Sequence, residues 1–277
     1  MPELPEAETL ARGLAPLLVG RTLERVRVHH ADVLRVPAAR FRAGVRGRRV
    51  LAVGRRAKNV VLTLSGDHHL IVNLGMTGWL APVAPGGARP THPALTFALD
   101  AAGSLVFDDV RRFGCVELLR SELWAERSAR LGPEPLADAF TTPVLGAALA
   151  RSRSPIKNWL MDQRRIAGVG NIYASEALFR AAVHPLRPAR SLTQVETASL
   201  RRAIRAVLRE AVRAGGTTLR NYRNVDGEPG RFVFRLRVYG REGEACPNCK
   251  MPVERLVFGN RSSFLCPVCQ PTGVHPT

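Results

Sequence analysis

Four of the five cysteines in this 277-residue chain fall as Cys246-x2-Cys249-x16-Cys266-x2-Cys269. Two CxxC pairs separated by roughly 15–20 residues match a tetrahedral zinc site of four thiolates, each pair closing the end of a hairpin. The alternative, two disulfides, requires strained CxxC loops and an oxidising compartment, and no signal peptide is expected from the acidic start Met1-Pro2-Glu3-Leu4-Pro5-Glu6. With sulfur at every position, one Zn2+ held here has no open site, so its expected role is structural. Residues 257–264 between the pairs read as a hairpin that carries Arg261 outward at its tip. Cys115 stands alone and reads as a small buried hydrophobe.

A second reactive candidate is Pro2. Removal of Met1, favoured by a small second residue, would leave Pro2 with a free secondary amine. An α-amino group titrates at about 7.7–8.0, so part of it is neutral and nucleophilic near pH 7. A lysine reaches that state only when desolvated or beside another cation. Attack of a secondary amine on a sugar C1′ gives an iminium that is cationic without protonation. That cation is an electron sink for elimination of the 3′ and then the 5′ phosphate. Many chains begin Met-Pro, so the pair alone does not establish this chemistry. Side-chain amines are scarce: Lys58, Lys157 and Lys250 stand against 38 arginines. The surplus of arginine fits a GC-rich coding bias.

The elements that must position these groups follow from composition and periodicity. A chain of this length suggests two domains plus a small module. Hydrophobic residues make up 45% and the formal net charge is +18. Real cores and a polyanionic partner are therefore expected, and a disordered basic tail is excluded. No apolar run approaches the roughly 18 residues of a membrane span. Pro5, Glu6 and Glu8 suit the first turn of a helix, with Leu10, Leu14, Leu17 and Leu18 as its apolar stripe and Gly20 as its stop. Between residues 21 and 120, short apolar runs at 26–28, 60–64, 70–72 and 105–107 are punctuated by turn residues, the pattern of an antiparallel sandwich or barrel. A boundary is expected near Leu131-Gly132-Pro133. Helical periodicity follows it, clearest at Leu200, Ile204, Val207, Leu208 and Ala211. Residues 215–230 read as a long exposed loop.

Several motifs then occur in one order: Met1-Pro2-Glu3-Leu4-Pro5-Glu6, Arg55-Arg56-Ala57-Lys58, Leu74-Gly75-Met76-Thr77-Gly78, Asp109-Val110-Arg111-Arg112-Phe113-Gly114, Gly168-Val169-Gly170-Asn171-Ile172-Tyr173-Ala174-Ser175-Glu176 and Val238-Tyr239-Gly240-Arg241, followed by the cysteine pairs. Across essentially its whole length the chain resembles the bacterial formamidopyrimidine-DNA glycosylase family, within the wider group that includes endonuclease VIII. The resemblance implies an α+β multidomain fold. Residues 1–132 would form an N-terminal helix plus antiparallel β-sandwich. Residues 133–237 would form a helical helix–two-turn–helix domain with a lesion-capping loop at 215–237, and residues 238–272 a zinc-finger β-hairpin.

The resemblance also implies roles. Pro2 would be the Schiff-base nucleophile, Glu3 the acid that opens the deoxyribose ring, and Lys58 a proton-transfer group in β-elimination. Arg261 would clamp the phosphate leaving in δ-elimination. An enzyme acting on a base inside a duplex must extrude it and fill the gap. Met76, Arg111 and Phe113 match the family's void-filling residues, with Arg111 facing the orphaned cytosine. His92, Arg153, Lys157, Asn171 and Tyr222 match DNA-contacting positions, Tyr222 in the capping loop with Thr217 and Thr218. The implied activity is excision of oxidised purines such as 8-oxoguanine and formamidopyrimidines from double-stranded DNA, followed by β,δ-elimination, in base excision repair. A monomer in the bacterial cytoplasm, associated with the nucleoid, is expected. Asn73 stands where a histidine is expected, and Ala7 where a valine is more usual. The alternatives are an endonuclease VIII-like glycosylase for oxidised pyrimidines, a zinc-ribbon DNA-binding regulator and a structural DNA-coating protein.

Overall fold

The computed structural model describes residues 2–87, 90–100, 102–220 and 222–272. These divide into two compact units. The first joins the residues up to Arg130 to Val212–Val233; the second joins Leu131–Ala211 to the residues from Phe234 onward. Segment 212–233, grouped by the sequence with the helical region, thus packs with the N-terminal unit.

In the first unit, helix α1 (Leu4–Leu18) opens with Glu3 in extended conformation at its N-cap and Pro5 in its first turn. Pro5 costs nothing there, because a first-turn N–H has no partner inside the helix. Ala7, Leu10, Ala11, Leu14 and Leu18 are buried, and Leu17 lies outside that face at 46% exposure, so the expected stripe is one residue narrower than read. Gly20 follows at φ +87°, the left-handed conformation that favours glycine. The strands are β1 (Thr22–Val28), β2 (Arg48–Arg56), β3 (Asn59–Leu64), β4 (His68–Asn73), β5 (Trp79–Val83), β6 (Pro93–Leu99), β7 (Ser104–Asp108) and β8 (Cys115–Arg120). Their order is β5-β7-β6-β1-β2-β3-β4-β8, and every named pair is antiparallel. The β1–β2 ladder is only Thr22↔Arg49 and Leu23↔Arg48. That short corner joins two sheets, β5-β7-β6-β1 and β2-β3-β4-β8, into the expected sandwich. Leu62, Leu64, Leu70 and Val72 from one sheet share a core with Leu95, Phe97, Leu105 and Phe107 from the other, together with the buried face of α1. Helix α2 (Ala38–Val45) adds Phe41, whose ring meets Phe97 edge-on at 6.3 Å. Helix α3 (Ser121–Ala129) has no buried residue.

The second unit contains α4 (Thr142–Ala150), α5 (Ile156–Met161), α6 (Asn171–Arg180) and α7 (Gln194–Arg213, through Ala211). The predicted period in α7 is seen as buried Leu200, Ile204, Val207, Leu208 and Ala211. Between α5 and α6 the chain turns twice. Asp162 accepts the amides of Arg165 and Ile166 on its carbonyl, and Gln163 closes the second turn by donating to Val169 O and accepting Gly168 N, both at 2.8 Å. Strands β9 (Glu254–Phe258) and β10 (Arg261–Leu265) form the ribbon hairpin. Gly259 and Asn260, both at φ +57°, supply its two-residue turn. Gln270 fixes the ribbon by accepting Cys266 N and donating to Val183 O. No helix among the described residues is long and apolar enough to cross a membrane.

Candidate active site and nucleic-acid interface

In the first unit, Pro2, Glu3 and Glu6 are all buried. Glu6 is the hub of this segment. Its Oε2 accepts the Glu3 amide at 2.7 Å and its Oε1 accepts the Thr217 amide at 2.7 Å, while its carbonyl accepts the Tyr222 hydroxyl at 3.4 Å. Burial and the nearby Glu6 carboxylate push the Tyr222 phenol well above its ordinary pKa, so it stays a neutral donor. Gly216, at φ +87°, has no room for a side chain, because a Cβ would lie 3.0 Å from Glu6 Oε1 and from the Tyr222 ring.

Lys58 follows Ala57 in the two-residue turn between β2 and β3, with Ala57 at φ +53°. Arg55 ties this turn to α1, donating to Glu8 Oε2 at 2.8 Å and to Ala57 O at 3.0 Å. The Arg55 and Arg12 hydrogen bonds outweigh the upward push of burial and hold the Glu8 carboxyl below its ordinary pKa. Asn59 Oδ1 accepts from Asn73 Nδ2, and Asn73 Oδ1 accepts the Gly75 amide. Asn73, the departure from the expected histidine, therefore shapes the turn that presents Met76.

That turn packs backbone to backbone on the loop before β8. A Cβ on Gly75 would lie 2.5 Å from both Gly114 N and Phe113 C, so both chains approach only because residue 75 lacks a side chain. Asp109, 1% exposed, organises the pair. It accepts the Thr77 hydroxyl and the Arg111 amide on Oδ1, and the Gly114 amide at 2.7 Å on Oδ2. Met76 (43% exposed) and Phe113 (59%) therefore face solvent from a rigid base. Arg111 lies over the Phe113 ring at 4.5 Å. The exposed His92 is tied to the same loop, its amide on Asp108 Oδ1 and its carbonyl accepting Asp109 N.

In the second unit Arg153 and Arg261 are exposed, Arg261 directly after the ribbon turn. Asn171 begins α6, where backbone amides point outward and favour an anion. Glu176, fully buried, accepts the amides of Arg237, Val238 and Tyr239 and so fixes the segment leading to the ribbon.

Two expected DNA contacts are placed otherwise. Lys157 is 1% exposed, with Nζ donating to Ser262 O and Ser263 Oγ, so its charge serves the ribbon and not an outer face. Tyr222 is buried against Glu6 and α1. Its segment is not the open loop the polar composition suggested. Thr217 is buried, Thr218 Oγ1 donates to Tyr222 O and accepts Gly230 N, Trp79 donates to Asn224 O, and Val225 packs on Gly13. Asp109 and Glu176 have no role that the sequence alone assigns. Their signal was present, an acid five residues before a glycine and an acid within a buried helix, but burial of the carboxylate could not be read from it.

The four cysteine sulfurs lie within 4.8 Å of one another. Cys246–Cys269 and Cys249–Cys266 are 3.9 and 3.4 Å apart. A tetrahedron with metal–sulfur bonds of about 2.3 Å has edges of about 3.8 Å, so the donor set and its spacing fit one structural Zn2+.

Comparison with known proteins agrees with this geometry. Residues 1–116 match the family model of the formamidopyrimidine-DNA glycosylase N-terminal domain, residues 131–223 its H2TH domain, and residues 243–272 the zinc finger found in FPG and IleRS. Formamidopyrimidine-DNA glycosylase of Thermus thermophilus is 48% identical over 280 residues, covering 99% of this chain and 100% of that protein. The Chloroflexus aggregans enzyme of the same name is 46% identical, covering 98% of each. The crystal structure of the Thermus thermophilus MutM (Fpg) protein superposes with a TM-score of 0.89 at 46% identity, covering 98% of this chain and all of that one. A Lactococcus lactis Fpg in complex with abasic-site DNA gives 0.90 at 30% identity, covering 97% and 99%. Relatives this similar over nearly the full length establish that the chain belongs to the formamidopyrimidine-DNA glycosylase family.

Proposed function

We propose that this chain is a bifunctional DNA glycosylase and abasic-site lyase that excises oxidised purines, 8-oxoguanine and formamidopyrimidines, from double-stranded DNA. The observation that carries the reading is Pro2 beside Glu3 at the head of α1, with Glu6 fixing the Glu3 amide. After loss of Met1, the Pro2 amine attacks C1′ of the extruded nucleotide and the base departs. Glu3 protonates the ring oxygen as the sugar opens, leaving an iminium between Pro2 and C1′. Loss of a C2′ proton, with Lys58 in the proton transfer, breaks the C3′–O bond and frees the 3′ phosphate. Loss of the C4′ proton then breaks the C5′–O bond, and Arg261 clamps the departing phosphate.

Met76, Arg111 and Phe113 occupy the space the extruded nucleotide leaves, with Arg111 donating to the cytosine. Asn171, Arg153 and His92 contact phosphates, which fix register and carry no lesion information. The functional divisions are residues 1–132, 133–237 and 238–272, with segment 215–237 covering the lesion. The enzyme acts as a monomer on the bacterial nucleoid in the cytoplasm.

A panel of end-labelled duplexes tests this: 8-oxoguanine opposite cytosine, a formamidopyrimidine, an oxidised pyrimidine and undamaged DNA. Scission is expected at the oxidised purines, leaving 3′-phosphate ends. Preferential cleavage at the pyrimidine would favour the endonuclease VIII-like reading. Tight sequence-specific binding to undamaged DNA without scission would favour a regulator.

A further inference from the structure

Lys157 is the one lysine of the second unit's helices, and its ammonium is buried against the ribbon. Nζ donates to Ser262 O at 2.9 Å and to Ser263 Oγ at 2.6 Å, and lies 5.8 Å from the centre of the Phe258 ring. Asn171 Nδ2 donates to the same Ser262 carbonyl at 3.0 Å. Asn171 Oδ1 is buried with no hydrogen-bond partner among the described residues, so the amide is oriented by what its nitrogen does. Ser262 directly follows Arg261, and Phe258 is the residue paired with Arg261 across the hairpin. Arg255 adds a hydrogen bond to Ser262 Oγ at 2.9 Å. Donors from two helices thus converge on the peptide next to Arg261, while the Arg261 side chain itself stays exposed.

We infer that Lys157 and Asn171 are positioning residues for Arg261, acting through the Ser262 carbonyl to hold it for the δ-elimination step. The inference rests on the proposed role of Arg261. A two-residue turn containing Gly259 leaves the hairpin tip free to shift, and two donors on one carbonyl remove that freedom at the residue that must meet a phosphate. Pre-set orientation of a charged donor matters most when charge develops on the departing group. The step is loss of the C4′ proton from the unsaturated iminium, movement of the electron pair through the conjugated system towards the iminium nitrogen, and cleavage of C5′–O. The oxygen leaves on the upstream strand as a 3′ phosphate. The earlier β-elimination breaks C3′–O and needs no contact from the ribbon tip, so the two residues should affect the second cleavage selectively.

The test uses full-length zinc-loaded protein on a duplex carrying a preformed abasic site. Four forms are compared: wild type, Arg261→Ala, Lys157→Met and Ser263→Ala. Each is assayed for zinc per chain, rate of borohydride trapping, and the ratio of 3′-phosphate to 3′-unsaturated-aldehyde ends. Arg261→Ala should collapse the ratio with trapping intact. Lys157→Met should lower it about tenfold, the scale of losing a charged hydrogen bond, again with zinc and trapping retained. Ser263→Ala, which keeps the lysine and removes one acceptor, should lower it severalfold. A lysine that merely stabilised the ribbon would change zinc content or thermal midpoint without moving the ratio. If Lys157→Met loses zinc, Ser263→Ala decides alone. A wild-type ratio in the zinc-loaded Lys157 and Ser263 variants, alongside a collapsed ratio in Arg261→Ala, overturns the positioning role. An unchanged ratio in Arg261→Ala overturns the role of Arg261 and the inference with it.

Discussion

Replacing Asp109 by Asn tests whether one buried carboxylate holds the Met76 and Phe113 turns together. Asp109 offers two oxygens to three donors: Gly114 N to Oδ2, and Thr77 Oγ1 with Arg111 N to Oδ1. Asparagine keeps its shape and one oxygen, and its NH2 group must face one set of donors. Facing Gly114, it opposes an N–H that has nowhere to turn. Facing Thr77 is cheaper, because the hydroxyl can rotate to accept. The price is the Arg111 contact and the charge on the Gly114 bond. With about 1.5–3 kcal/mol for a hydrogen bond to a charged group, a loss of about 2–3 kcal/mol is expected. Chemical denaturation would measure it. On an 8-oxoguanine duplex the same variant should excise at least tenfold more slowly, while cleavage of a preformed abasic site in single-stranded DNA, which needs no void filled, changes little. Unchanged stability together with unchanged excision would refute the claim that Asp109 organises these turns.

Three further outcomes follow from the same geometry. Arg111→Ala should weaken discrimination between cytosine and other bases opposite the lesion by about 1–3 kcal/mol, roughly 5- to 160-fold, read from excision rates on four opposing bases. Glu6→Gln leaves one oxygen for two backbone donors, Glu3 N and Thr217 N, so it should cost about 1–3 kcal/mol in unfolding free energy. It should also speed amide exchange at Thr217 and slow borohydride trapping together, since one side chain holds both segments. Stripping the metal with a chelator should disorder the ribbon, whose core includes Cys246 and Cys266 with Phe179, Val238 and Val253. Strand cleavage should fall and return with added Zn2+, and a chelator-treated protein that retains wild-type 3′-phosphate formation would contradict the ribbon's part in the reaction.

How much of this was legible in the sequence depends on whether a residue's role is local. The cysteine spacing, the first-turn Pro5 and the short apolar runs of β3, β4 and β7 between turn residues are local signals, and they lead to the zinc site, α1 and the sandwich. Leu17 is exposed because, at 100° per residue, it lies about 60° round the helix from Leu14 and about 100° from Leu18, at the edge of the buried face. Lys157 and Tyr222 are buried where the sequence suggests exposure, for a deeper reason. A lysine in a basic chain reads as surface charge, and a tyrosine among Gly and polar residues reads as loop. Their burial depends on Ser262 and Ser263, more than a hundred residues away, and on Glu6, 216 residues away. Asn73 reads in the sequence only as a departure from an expected histidine, and its bonds to Asn59 and Gly75 show what it does in the fold, which is to shape a turn. The roles of Pro2, Glu3 and Lys58 came from resemblance; their residue types alone allow the chemistry without selecting it.

Everything in the proposed mechanism depends on the amine of Pro2 being the nucleophile. The most direct measurement is borohydride reduction of the purified protein on an 8-oxoguanine duplex, followed by protease digestion and mass mapping of the DNA-bearing peptide. The expected result is a protein that has lost Met1 and carries a single reduced adduct on the nitrogen of Pro2, with no adduct on protein molecules that keep Met1. An adduct on Lys58 or any other lysine, or wild-type trapping by protein that still carries Met1, would contradict it.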